Sequence, residues 1–153
     1  MSSPCLLCLI ELMRETRKSL PIALLRTREA VMAHFRPMLA TYGLNEQQWR
    51  VIRVLEEHGE LDATALAQKA YVLGPSLTRM IKSLAERKLL IIGRDARDGR
   101  RTLLRLSTKA KNIVAEIAPL SDKIFQEIQM KSGVGDTDEL LRLLDIVATR
   151  LEG

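Results

Sequence analysis

Aromatic residues are scarce in this sequence of 153 residues, where Phe, Tyr and Trp together make up 3% and Trp occurs once. Hydrophobic residues nonetheless reach 46%, so the core has to be built from aliphatic side chains on helix faces. The length suffices for one buried core and is short for two. The composition therefore predicts a single, mostly α-helical body.

Residues for catalysis or metal binding are equally scarce. Cys5 and Cys8 form one C-x-x-C pair, and no second pair or nearby His completes a tetrahedral zinc site. His34 and His58 have no Cys or acidic residue at ligand or triad spacing, and no glycine-rich phosphate loop is present. We therefore expect no enzyme, no metal and no cofactor. The two thiols either sense oxidants or have no function.

Long hydrophobic runs are also missing. The apolar stretch from Cys5 to Met13 is too short to span a bilayer, and no basic segment precedes it as in a secretory signal. We expect a cytoplasmic protein without membrane contact. Residues 1–18 are interpreted as an N-terminal extension, which is either a dimer element, a tail or the product of an upstream start codon.

Positive charge, in contrast, is concentrated in one segment. The chain carries +5 overall, but eleven basic and three acidic residues lie between Arg79 and Lys111, so this segment carries +8 and the remainder −3. Such a balance favours a polyanionic partner without choosing among DNA, RNA and anionic membrane.

Apolar periodicity and capping signals predict five helices before Gly133 and one after it. A long first helix covers 19–42, with Pro37 as a kink point. Asn45 and Gln48 resemble a capping box for a second helix that ends at His58 and Gly59. Asp62 can cap a short third helix over 63–70, and a glycine-containing turn leads to a fourth over 75–88. Two short helices joined by such a turn are typical of a helix-turn-helix. A fifth helix, capped by Ser107 or Thr108, ends before Gly133.

A β-hairpin follows the helix-turn-helix. Its strands are predicted at 89–93 and 102–106, with Asp98 and Gly99 forming the turn. A hairpin in this place is a wing. Asp136 and Glu139 resemble a capping box for a last helix. The predicted fold is mostly α with a small β-hairpin wing: a winged helix-turn-helix at 45–107, with long dimerisation helices at 19–44 and 108–153.

Basic and hydroxyl side chains on the fourth helix and the wing are the candidate DNA-binding residues. The second helix of a helix-turn-helix enters the major groove, which assigns Ser76, Thr78, Arg79, Lys82 and Ser83 to that role. Wing arginines can reach an A·T-rich minor groove, which assigns Arg97, Arg100 and Arg101. Asp98 would repel phosphate and is expected to orient Arg100 or Arg101. The opposite face of the fourth helix, formed by Leu77, Ile81 and Leu84, is expected to be buried.

The order of these elements, with Asp98-Gly99-Arg100-Arg101 followed by Leu106-Ser107-Thr108, resembles the MarR family of bacterial regulators from about Ser19 to Leu151. The segments 22–26, 36–37 and 46–53 are similar to regulators of homoprotocatechuate (aromatic acid) degradation operons. The resemblance implies a homodimeric repressor of an aromatic-compound catabolism operon, a pseudo-palindromic operator in double-stranded DNA, and release when a small aromatic carboxylate binds. It gives as effector-binding candidates Arg26, Arg28, His34, Trp49 and Met80.

Two other functions stay open at the level of sequence. A winged-helix protein-interaction module would use the same fold without specific DNA binding. An RNA-binding winged helix would prefer structured RNA over duplex DNA.

Overall fold

The structure is a computed structural model that describes residues 19–95, 98, 101–133 and 137–152. In chain order its elements are α1 (Leu20–Thr41), α2 (Glu46–His58), β1 (Leu61–Asp62), α3 (Ala63–Lys69), α4 (Gly74–Glu86), β2 (Leu90–Arg94), β3 (Thr102–Leu106), α5 (Thr108–Ser132) and α6 (Thr137–Glu152). These described residues form two compact units, the first ending at Lys111 and the second beginning at Asn112.

Capping residues fix the beginnings of three helices in the first unit. The Asn45 side chain accepts from Gln48 N at 2.8 Å while Gln48 Oε1 accepts from Asn45 N at 3.1 Å, which is the predicted capping box. Asp62 Oδ1 accepts from Ala65 N at 2.9 Å. Ser107 Oγ accepts from Ala110 N at 3.1 Å and thereby caps α5. Each cap satisfies a backbone donor that the first turn of a helix leaves unpaired.

The sheet has three antiparallel strands rather than the two of the predicted hairpin. Its order is β1-β3-β2, with Leu61 opposite Leu104 in one pair and Leu90 opposite Leu106 in the other. The two residues of β1 are too few to show an alternating pattern, so sequence periodicity missed this strand. The hairpin strand β2 begins and ends one residue later than predicted.

The helix α4 also differs from its prediction at both ends. It begins at Gly74, with Pro75 in its first turn, and ends at Glu86. Lys88, predicted as helical, has a φ of +58° and so lies in the left-handed region where a helix cannot continue. Pro37 lies inside α1, which continues through it to Thr41.

The core of the first unit is mostly aliphatic, as the composition predicts. It includes Phe35 and Leu39 of α1, and it joins α2, α3, α4 and the sheet through the buried residues Leu44, Val51, Ile52, Leu55, Leu66, Leu77, Met80, Leu84, Leu89, Leu90, Leu104 and Leu106. No polar or charged residue in the described part of the chain is buried.

In the second unit, Gln129 Nε2 of α5 donates to Thr137 Oγ1 of α6 at 2.9 Å. None of the residues of α6 is buried. Gly133 ends α5 with a φ of +65°, as its position after the last periodic residue predicts. The predicted capping residue Asp136 lies outside the described residues.

Candidate nucleic-acid interface

Helix α4 has one buried face and one polar face. Leu77, Met80 and Leu84 are buried, while Thr78, Arg79 and Lys82 are exposed and Ser76 and Ser83 are half-buried. None of the predicted DNA-binding side chains of this helix is therefore buried. The prediction for the buried face holds for Leu77 and Leu84; Ile81 is half-buried and Met80 is buried instead. Met80 thus belongs to the core of this unit, and its role as an effector-binding residue stays a prediction.

The first turn of α4 suits an anion. No acidic residue lies in it, and the backbone N–H groups at a helix N-terminus carry partial positive charge. Thr78 Oγ1 donates to Gly74 O at 3.1 Å. Arg79 Nε approaches Pro75 O at 3.5 Å, which is beyond the usual length of such a hydrogen bond. Turning the Arg79 guanidinium towards a ligand therefore breaks no strong hydrogen bond.

The base of the wing is fixed to the start of α3 by an ion pair. The Arg101 guanidinium donates to the Asp62 carboxylate, which at the same time caps α3. The Ala65 backbone N–H and then Arg101 lower the pKa of Asp62. Because the two residues are 39 positions apart, the sequence predicts the helix cap of Asp62 but not this ion pair.

Asp98, predicted to orient Arg100 or Arg101, contacts Arg101 through the backbone. Its carbonyl accepts from Arg101 N at 2.9 Å, and Asp95 N donates to Arg101 O at 3.0 Å. The pKa of Arg101 is raised first by Asp62 and to a lesser degree by Asp95 and Asp98. The carboxylate that holds the Arg101 side chain is therefore that of Asp62. Arg97 and Arg100 lie outside the described residues, and their role in DNA binding stays a prediction.

Four charged side chains form a closed ring between α1 and the first turn of α2. Arg28 pairs with Glu29 at 2.7 Å and with Glu46 at 2.5 Å, and Arg36 pairs with Glu29 at 2.5 Å and with Glu46. Burial raises the pKa of Glu46, but hydrogen bonds from Arg36 and Arg28 outweigh it and leave that pKa below its ordinary value. The ring thus holds two carboxylates against two guanidinium groups.

A pocket of about 500 Å³ lies beside this ring. It is lined by the ring residues and by Leu39, Leu44, Asn45 and Gln47. Of the predicted effector-binding residues, the pocket includes Arg28 and none of the other four. Arg26 and His34 are exposed on α1.

Trp49, on α2, is half-buried, and the guanidinium carbon of Arg53 lies 5.9 Å from the centroid of its ring. This spacing is that of a cation–π contact. Arg53 is not among the residues predicted from the sequence. Its spacing from Trp49 could have predicted the contact, because residues four apart on a helix lie on one face.

Other kinds of site find no support in the described part of the chain. No group of three or more His, Cys, Asp or Glu side chains there can hold a metal ion. None of its helices combines the length and apolar character that crossing a bilayer needs.

An exposed basic helix after a tight turn, followed by an antiparallel wing, defines a winged helix-turn-helix protein. Residues 42–101 match the model of the MarR family. The chain is 35% identical over 130 residues to the HTH-type transcriptional regulator FarR of Neisseria gonorrhoeae, which covers 85% of this chain and 87% of FarR. It is 31% identical over 127 residues to the homoprotocatechuate degradative operon repressor of Escherichia coli, covering 83% and 86%. The chain belongs to the MarR family and is a transcriptional regulator of that type. The predicted family and fold class are confirmed.

Solved structures agree with this assignment. The transcriptional regulator PA4135 superposes with a TM-score of 0.81 at 36% identity, covering 86% of this chain and 96% of that one. NadR in complex with 4-hydroxyphenylacetate gives 0.74 at 35% identity, covering 86% and 91%. The repressor CouR bound to a 23-mer DNA duplex gives 0.79 at 26% identity, covering 89% and 96%.

Proposed function

We propose that this chain is a homodimeric repressor that binds a pseudo-palindromic operator in double-stranded DNA. The observation that carries the proposal is α4, which buries Leu77, Met80 and Leu84 and leaves Thr78, Arg79 and Lys82 exposed. A helix held by one apolar face can present the other to the major groove, where side chains read base edges and phosphates. A relative of similar fold was solved bound to a DNA duplex.

Exposed apolar side chains on the terminal helices support the homodimer. On α6, Leu141 is 57% exposed and Leu151 is 81% exposed, and Leu140, Leu143, Leu144 and Val147 are exposed as well. On α1, Leu20, Ile22, Leu24 and Leu25 are exposed. Apolar faces of this extent are usually covered by a partner, and a second copy is the commonest one. The domain roles follow: 45–107 for DNA and the flanking helices for dimerisation.

The test of DNA binding is an anisotropy titration of the full chain with a duplex obtained by in vitro selection, its scrambled version and an RNA hairpin. We expect tight binding to the selected duplex alone. Arg79→Ala removes one exposed charge from α4. Its matched control is Lys131→Ala, which removes one exposed charge outside the winged helix-turn-helix. Selection that yields no preferred duplex would favour the protein-interaction module, and preference for the hairpin would favour an RNA-binding protein.

We also propose a small aromatic carboxylate as the effector that releases the operator. The pocket beside the ring offers two guanidinium groups, and guanidinium binds carboxylate through two parallel hydrogen bonds. Leu39 and Leu44 give the same pocket an apolar wall. Two relatives point to this class of compound, since one was solved with 4-hydroxyphenylacetate and another is named for a homoprotocatechuate operon.

An incoming carboxylate would have to compete with Glu46 and Glu29 for Arg28 and Arg36. Binding would therefore loosen the contact between α1 and α2, and it can shift DNA occupancy only as far as the acid prefers one dimer geometry over the other.

Calorimetric titration of 4-hydroxyphenylacetate into the full chain tests this site. Arg28→Met is expected to weaken binding at least tenfold, whereas Arg26→Met removes the same charge from α1 at a position that does not line the pocket. Equal losses in both variants would show that net charge alone attracts the acid. Trp49→Ala and Arg53→Met test whether the acid binds instead at the contact between these two residues on α2.

A further inference from the structure

The end of the recognition helix α4 is tied to the corner between α1 and α2 by one side chain. Arg87 follows the last residue of α4, and its guanidinium donates to Gly43 O at 2.7 Å and to Tyr42 O at 2.9 Å. Both carbonyls lie directly after α1. Arg87 thereby joins two segments more than forty residues apart.

This corner is a favourable place for a guanidinium. The C-terminal end of a helix carries partial negative charge, and the carbonyls just beyond it have no intrahelical donors, so a cation there is stabilised. The planar fork of Arg can reach two neighbouring carbonyls at once, which a Lys ammonium at the same place cannot match. Gly43 has a φ of +64°, and a Cβ on it would lie 3.2 Å from Arg87 Nη2. A residue without a side chain at position 43 keeps this approach open.

The same short segment is held from the other side by the start of α5. Lys109 Nζ donates to Arg87 O at 3.1 Å, and Ser107 Oγ donates to Lys88 O at 2.8 Å. Ser107 N donates to Leu89 O at 3.0 Å. The segment 87–89 therefore contacts the corner between α1 and α2 through the Arg87 side chain and the start of α5 through its backbone carbonyls.

We propose that Arg87 is a positioning residue that sets the placement of α4 relative to α1, and through it the half-site spacing that the dimer accepts. The inference rests on the proposed function, because it requires a dimer that reads two half-sites. The exposed leucines of α1 belong to the proposed dimer contact, whereas α4 carries the reading side chains. The tie between these two helices therefore contributes to the distance between the two reading heads.

One base pair of extra spacing moves a half-site by about 3.4 Å and rotates it by about 35°. An α4 that the Arg87 contacts hold in one position rejects such a site, and an α4 without them tolerates it. Loss of Arg87 should therefore reduce discrimination between spacings more than it reduces affinity for the best one.

The experiment measures the affinity of the full chain for the selected operator and for versions with one base pair inserted or removed at the centre. We compare wild type with Arg87→Met and with Arg87→Lys, which keeps the charge. Gly43→Ala disturbs the same contact from the carbonyl side. Ile52→Val, a change at a buried residue of α2, is the control for lost stability, and melting temperatures are recorded for every variant.

We expect wild type and Ile52→Val to share one strong spacing preference. Arg87→Met should weaken that preference severalfold, and Arg87→Lys should restore part of it. If Arg87→Met lowers affinity for all three spacings by one common factor, or leaves all three unchanged, the inference is overturned. If wild type itself binds no operator specifically, the proposed function has failed, and that outcome is visible without any variant.

Discussion

Arg79 offers the sharpest test of how α4 reads DNA. Its guanidinium is exposed, and the distance of 3.5 Å from its Nε to Pro75 O is too long to hold the side chain. Binding therefore breaks no strong hydrogen bond of Arg79 and costs mainly the conformational entropy of its side chain. A bidentate contact to guanine provides about 1–3 kcal/mol of discrimination against a wrong base, which corresponds to about five- to 150-fold in affinity. Arg79→Ala should therefore lose this discrimination between the correct and a wrong base pair at one position of each half-site.

Lys82→Ala is the matched comparison, because Lys82 is also exposed on α4. We expect Lys82 to contact a phosphate, which a Lys binds as a point charge. Loss of one phosphate contact should weaken binding to all sequences equally and make the slope of log affinity against log salt shallower by about 0.9. The assay is anisotropy against a panel of duplexes that carry each single base-pair change, repeated at four salt concentrations.

The reasoning about Arg79 is refuted if Arg79→Ala behaves like Lys82→Ala, with uniform losses across the panel and a shallower salt slope. A folding defect is a separate matter, since substitution of an exposed residue changes the free energy of unfolding by no more than about 0.5 kcal/mol. Thermal denaturation of both variants checks that point.

Three further predictions concern stability and assembly. Asn45→Ala removes the capping box of α2 and should cost about 1 kcal/mol, seen in calorimetry as a fall in Tm of about 2–4 °C, whereas Asn45→Ser should retain most of the stability. The lowered pKa of Asp62 means that its ion pair and cap stabilise the fold above the ordinary pKa of about 3.9. This contribution is lost as the pH falls through that value to the lower folded pKa, so Asp62→Asn should flatten acid denaturation measured below about pH 4, and an unchanged curve would contradict the assignment. Leu144→Glu on the exposed face of α6 should convert the dimer to monomer in sedimentation velocity, and a persisting dimer would place the interface elsewhere.

Local signals predicted the helices of this chain well. The Asn45 capping box and the Asp62 cap of α3 lie where the sequence places them, because a cap depends on residues three positions apart. The bounds of α4 and β2 differ from prediction by one or two residues. Lys88 was predicted inside α4 because nothing in its own chemistry signals a positive φ.

The contacts that assemble the site could not be predicted in the same way. Arg101 pairs with Asp62 across 39 positions, and Arg87 reaches Gly43 across 44. Periodicity carries no information about such pairs, because tertiary packing decides which of many exposed charges meet. The ring of Arg28, Glu29, Arg36 and Glu46 was missed for the same reason, although Arg28 itself was predicted from family resemblance.

These long-range contacts also change what the charge of the chain implies. The segment from Arg79 to Lys111 contains eleven basic residues, and if all eleven neutralised phosphates, the salt slope would be about 10 for each protomer. Arg101 is paired with Asp62, and Arg87 and Lys109 are held against backbone carbonyls, so these three cations serve the fold. We therefore expect this segment to contribute a slope of no more than about 7 for each protomer, which salt titration of operator binding measures directly. A slope of about 10 would mean that DNA pulls these cations away from their internal partners, and the contacts that hold the end of α4 would then be a property of the free protein alone.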